Sequence, residues 1–128
     1  MRAPARTMRH AVAGARALVF LALSGATVPA ADAEHGKVLF GACAACHSER
    51  PDALGPSLKG VVGRKSAALE DFRYSSAMKR AQLIWDEDNL RAYLKDPQAK
   101  VKGNRMPYSG IADSSDVEDL IAYLKALK

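Results

Sequence analysis

Three stretches of the chain carry apolar residues at helical spacing, and no stretch alternates over the length of a strand. In "EHGKVLFGACAACH" (34–47), Gly36, Leu39, Phe40 and Cys43 fall at i, i+3, i+4 and i+7, one stripe of an amphipathic helix. Glycine weakens a helix, so Gly36 on that stripe points to a close crossing with another helix. In "WDEDNLRAYLKDP" (85–97), Asp86 is placed to cap a helix, and Glu87 and Asp88 suit the positive end of its dipole. Leu90, Tyr93 and Leu94 make its apolar face, and Pro97 stops it. In "SSDVEDLIAYLKALK" (114–128), Ser115 to Glu118 has capping-box form, and Val117, Leu120, Ile121, Leu124 and Leu127 make the buried stripe. A short helix is expected near residues 75–81, while residues 48–73, rich in Gly and Pro, are expected to run as a long loop. The prediction is an all-α, small and loop-rich fold, and loops of that length need something to wrap.

The first 33 residues do not belong to that pattern. Arg2, Arg6, Arg9 and Arg16 precede a short apolar run at 17–26, and "ADA" (31–33) offers the small residues a signal peptidase reads. The run is well short of the roughly 20 residues a spanning helix needs. The chain therefore divides into a secretory signal peptide, residues 1–33, cleaved after Ala33, and one domain at 34–128. Four of the 19 basic residues and one of the 14 acidic residues leave with the leader, so the domain is close to neutral. Nothing in it suggests a nucleic-acid partner. Its charge is polarised instead: Arg91, Lys95, Lys100, Lys102 and Arg105 stand against Asp96 alone, and an acidic run follows from Asp113 to Asp119.

Cys43 and Cys46 are the only cysteines, and His47 follows at once. A disulfide closing so small a loop constrains the unfolded chain little. A thioredoxin-type dithiol needs a βαβ context that is missing, and a structural zinc site needs a fourth ligand. Haem accounts for more. Two thiols at this spacing can add to the two vinyl groups of one haem edge, and the adjacent imidazole then supplies an axial nitrogen. Attachment outside the cytoplasm agrees with the leader. For the other axial position the domain offers Met78, Met106 and His35. Met106 is favoured, because its loop is bounded by Gly103 and Gly110 and stiffened by Pro107, whereas His35 lies on the helix that carries the motif.

These features are similar to the class I c-type cytochromes, most of all bacterial cytochromes c2 and mitochondrial cytochrome c. The likeness covers residues 35–128 and rests on "CAACH", "GPSLKGVVGRK", "FRYSSAMK", "WDEDNLRAYLKDP", "GNRMPYSGI" and "DLIAYLK" in that order. The resemblance implies a cytochrome c fold, three main helices and long loops around one haem c bound through Cys43 and Cys46. It implies His47 and Met106 as the iron ligands and Pro56 as acceptor for the other imidazole N–H. Leu58 would pack on the haem, Arg64, Tyr74 and Trp85 would hold a buried propionate, and Asn104 would lie near that propionate or a buried water network. Gly36 and Phe40 would meet Leu120 and Tyr123 where the first and last helices cross. Gln98 and Ala99 stand where mitochondrial proteins carry docking lysines, so the mitochondrial partner set does not transfer.

The function implied is a periplasmic single-electron carrier, not an enzyme, with a closed iron cycling between Fe(III) and Fe(II). It would act as a monomer, meeting acidic surfaces of a membrane oxidase, a bc1-type complex, a reaction centre or a dehydrogenase in transient contacts. Lys59, Lys79, Lys100, Lys102 and Arg105 are the cations expected to steer those encounters. The alternative is a haem protein with a labile methionine ligand, acting as a peroxidase or gas-binding module.

Overall fold

The computed structural model describes residue 25 and residues 27–128. The basic start of the leader and almost all of its apolar run lie outside the described residues. Five helices follow in order: α1 (Ala33–Ala44), α2 (Ser76–Ala81), α3 (Glu87–Lys95), α4 (Pro97–Lys100) and α5 (Ser114–Ala126). Among the described residues there is no strand, and a single antiparallel bridge joins Lys65 to Ile84.

The last helix organises the core because its apolar side is continuous: Val117, Leu120, Ile121 and Leu124 are all buried. α1 crosses it and α3 packs beside it. The α1–α5 crossing is close because Gly36 has no side chain. A Cβ built there would lie 2.0 Å from the Asp119 carbonyl oxygen. One turn on, Phe40 meets Tyr123 with ring centroids 5.1 Å apart. Arg91 of α3 reaches α5 with a fork onto the Glu118 carboxylate, its Nη2 standing 3.0 Å from Oε2. Val61, Trp85, Leu90, Tyr93 and Val101 complete the buried cluster.

Helix ends depart from expectation in three places. α1 stops at Ala44, so Cys46 and His47 lie in the turn beyond it, their N–H groups donating to the Cys43 carbonyl at 3.1 and 2.9 Å. α5 is capped by Asp113, whose Oδ1 accepts from the Ser115 N–H at 2.7 Å, and not by a Ser115–Glu118 box. Glu118 cannot reach back for a cap because Arg91 holds it. Pro97 does end α3, but it also begins α4. Asp96 caps that helix through Ala99 N–H at 3.0 Å, and a proline in the first turn loses no hydrogen bond there.

Candidate haem site at the CAACH helix end

Cys43 and Cys46 are both free thiols and both half-buried, one on the last turn of α1 and one just past it. Burial pushes the Cys43 thiol above its ordinary range, with the neighbouring Cys46 adding to the effect. The His47 imidazole is fixed from two sides. Its Nδ1 is 2.8 Å from the Pro56 carbonyl oxygen, a distance at which Nδ1–H donates and Nε2 keeps a free lone pair. The chain at Gly55 lies flat against the ring: a Cβ there would stand 2.6 Å from Cε1 and 2.7 Å from Nδ1. The Gly55 N–H in turn donates to the Cys46 carbonyl at 2.9 Å, so the proline loop and the cysteine turn hold each other.

The loop carrying Met106 is latched by its own polar residues. Asn104 is buried, and its amide donates to the Pro97 and Val101 carbonyls, both at 2.9 Å, while its oxygen accepts from the Met106 N–H at 2.9 Å. Gln98 adds a second clasp, donating to the Asn104 carbonyl at 3.1 Å and accepting from Gly103 N–H at 3.3 Å. At the far end Gly110, with φ +102°, lies on the last turn of α3, where a Cβ would come 2.0 Å from the Lys95 carbonyl oxygen. Ile111 N–H then donates to the Leu94 carbonyl at 2.8 Å. Met106 itself is half-buried, with the Tyr93 hydroxyl 3.9 Å from its sulfur. Burial raises the pKa of that hydroxyl to about 12, so it remains a proton donor at any ordinary pH.

The other two candidates lie on helices, Met78 on α2 and His35 on α1. Met78 packs from α2 against the core. His35 lies at the helix crossing, with Nδ1 2.8 Å from Asp119 and 3.8 Å from Asp116. Of the remaining predicted residues, Arg64 and Trp85 are neighbours across the Lys65–Ile84 bridge. Trp85 N–H donates to the Arg64 carbonyl at 2.8 Å. Trp85 is buried edge-on against Tyr93, centroids 4.9 Å apart. The Arg64 guanidinium donates to the Ser57 and Lys59 carbonyls at 2.8 and 3.0 Å, spanning the loop that contains Leu58. Tyr74 packs edge-on against Phe72, and its hydroxyl is raised mainly by burial, with Arg64 close enough to oppose that. Leu58 is half-buried against the core. The structure thus places Arg64 beside Trp85, while Asn104 spends its amide inside the Met106 loop.

Sequence reasoning treats Tyr93 only as part of an apolar face and Gln98 only as a departure from a docking lysine, and gives no role to Gly55. A buried tyrosine needs a partner for its hydroxyl, which was the available signal for Tyr93. Nothing local marks the other two.

The rival chemistries for the motif fare worse. No disulfide joins the two cysteines. The one cluster of potential metal-binding side chains among the described residues is His35, Asp116 and Asp119, away from the motif. Covalent haem fits instead: paired thiols three residues apart, an imidazole with one nitrogen bonded and the other free, and a thioether on a stiffened loop. When bound, haem supplies reversible one-electron chemistry at iron.

The family profile described as cytochrome c matches residues 33–128. A cytochrome c2 from Blastochloris viridis is 43% identical over 121 residues, covering 92% of this chain and 93% of that one. A cytochrome c2 from Rhodoblastus acidophilus is 41% identical over 102 residues, 77% of this chain and 95% of its own. Among solved structures, cytochrome cH from Methylobacterium extorquens superposes with a TM-score of 0.71 at 43% identity, covering 74% of this chain and 98% of that one. A shared attachment motif, a shared helical frame and likeness along the whole domain lead to one conclusion: the chain belongs to the cytochrome c family and carries haem c on Cys43 and Cys46.

Proposed function

We propose that this protein is a single-electron carrier whose haem iron is ligated by His47 and Met106. The observation that carries the reading is that each donor is immobilised before any metal is considered. The Pro56 carbonyl and Gly55 orient the imidazole, and Asn104, Gln98 and the Gly110 contact stiffen the thioether's loop. Held this way, His47 and Met106 would occupy the iron and leave no position for substrate, and donors already fixed in place suit rapid electron exchange. The Tyr93 hydroxyl beside the sulfur and the apolar wall around it disfavour the extra positive charge of the ferric state. Arg64, Tyr74 and Trp85 would hold a propionate, and Leu58 would pack against the ring.

Partners are redox proteins with acidic docking faces, such as a membrane oxidase, a bc1-type complex, a reaction centre or a dehydrogenase, met by the monomer in short-lived contacts. Among the described residues Lys79, Lys100, Lys102 and Arg105 have no acid within 4 Å, whereas Lys59 is shared with Glu49 at 3.8 Å. The free cations are the ones that steer, and rates with a partner should fall as salt rises. A leader within residues 1–33 sends the domain to the periplasm. No helix among the described residues is long and apolar enough to cross a membrane.

The test is the visible spectrum of the exported protein, ferric and ferrous. Narrow low-spin ferrous bands and a weak long-wavelength ferric band of sulfur ligation, lost in Met106→Ala, are expected. A high-spin spectrum in the unaltered protein would overturn the carrier reading in favour of a peroxidase or gas-binding protein.

A further inference from the structure

We propose that the leader is cut between Ala30 and Ala31, so that the working protein begins at Ala31 and keeps Asp32 as a structural residue. The inference rests on the reading that the chain is exported. Asp32 is not spacer. Its Oδ1 accepts from the N–H groups of Glu34 and His35 at 2.9 and 3.2 Å, and its carbonyl accepts from Gly36 N–H at 2.9 Å. Its own N–H donates to Asp119 Oδ1 at 2.6 Å, across to α5. The other oxygen of Asp119 holds His35 Nδ1 at 2.8 Å. One carboxylate on α5 therefore ties down both the cap of α1 and its first turn, at the place where Gly36 brings the two backbones together.

A cut after Ala33, at the "ADA" pattern, would remove every Asp32 bond at once. It would leave the N–H groups of His35 and Gly36 without partners and put an α-ammonium at residue 34, at the positive end of the helix dipole. A cut after Ala30 removes none of this. Residues 27–31 are exposed, without regular structure, and take no part in these bonds. "VPA" (28–30) places alanine before the cut and the compact Val28 two residues further back, the small-residue pattern of a leader-peptidase site. The bond broken is the Ala30–Ala31 peptide, hydrolysed by a membrane-bound leader peptidase. Water gives its hydroxyl to the Ala30 carbonyl carbon and its proton to the departing Ala31 nitrogen.

The experiment is to express the full chain in a host that exports and attaches c-type haem, recover the coloured protein, and determine its intact mass and N-terminal sequence. Ala31-Asp32-Ala33-Glu34 is the expected start. Any other first residue on an exported holoprotein overturns the inference, Glu34 above all, while leaving export intact. If the host yields only colourless protein that keeps residues 1–30, the export reading itself is overturned. Two variants separate the competing cut sites in the same assay. Ala33→Gln should leave the Ala31 start unchanged, and Ala30→Gln should abolish it. The reverse pattern would refute the assignment.

Discussion

Replacing Asn104 with leucine keeps the number and branching of the side-chain heavy atoms, with two bulkier methyl groups for the amide, and removes three hydrogen bonds. Two of the three acceptors and donors involved have a second partner. The Pro97 carbonyl still accepts from Val101 N–H at 2.9 Å, and the Val101 carbonyl still accepts from the Asn104 backbone N–H at 3.0 Å. Only the Met106 N–H loses its sole partner. The two surviving carbonyls each forfeit roughly 0.5 kcal/mol, and a stranded N–H costs about 1–3 kcal/mol when fully buried. Met106 is half-exposed, so water relieves part of that penalty. The loop should therefore open more readily by about 2 kcal/mol, a roughly 30-fold rise in the open population.

The effect should be local, because every hydrogen bond of the Asn104 side chain goes to α4, to Val101 just past it, or to its own loop. Native-state hydrogen exchange reads it directly: Met106, Asn104 and Tyr108 amides should exchange roughly 30-fold faster, with amides of α1 and α5 changed far less. The ferric sulfur-ligation band should weaken at lower denaturant than in the unaltered protein. Gln98→Ala, removing two longer bonds at an exposed position, should show the same pattern below about 1 kcal/mol. If exchange at Met106 does not change in Asn104→Leu, or rises equally in α5, the latch is not what holds the loop.

Gly36→Ala should lower the thermal midpoint sharply, by about 2–3 kcal/mol at the transition, since the new methyl meets backbone and not a movable side chain. In calorimetry, a rise in midpoint, as helix propensity alone would give, contradicts the close crossing. Gly55→Ala should displace the His47 ring from Pro56 and reduce the low-spin fraction of the purified holoprotein; an unchanged spectrum would mean that the glycine does not cradle the imidazole. His35 should titrate above its ordinary 6.5 by NMR, chiefly because Asp119 accepts its hydrogen bond, with Asp116 adding a Coulombic contribution against some loss from burial. Its folded pKa is raised, so its contribution to stability is complete below 6.5 and is lost as pH climbs through the folded value. Asp119 is lowered, first by the Asp32 N–H and then by His35, so its contribution is lost as pH falls through its own folded value. Between those limits the clamp is intact, and Asp119→Asn should return the His35 titration toward 6.5.

How much of this was legible follows from where each signal lies in the chain. CAACH is contiguous, so its chemistry could be read from five letters, and the stripes of α3 and α5 repeat often enough to reveal both helices. Gly36 was legible because a glycine on an apolar stripe has few other reasons to be there. What failed involved a choice between partners distant in sequence. The Ser115–Glu118 pattern is a sound capping box until Arg91, 27 residues earlier, takes the glutamate. The cap then falls to Asp113, which no periodicity singles out. Arg64, Tyr74 and Trp85, which only the family resemblance assigns to a propionate, are scattered along the chain, and no local pattern singles them out. Asp96 shows the limit most plainly. Read locally it precedes a helix-stopping proline, and α3 does end there. Yet its side chain starts α4 one residue later, and α4 supplies the Pro97 carbonyl, beside that of Val101 just past its end, on which Asn104 anchors the Met106 loop. A residue that ends one helix also builds the footing of the Met106 loop, and only the folded chain brings those two roles together.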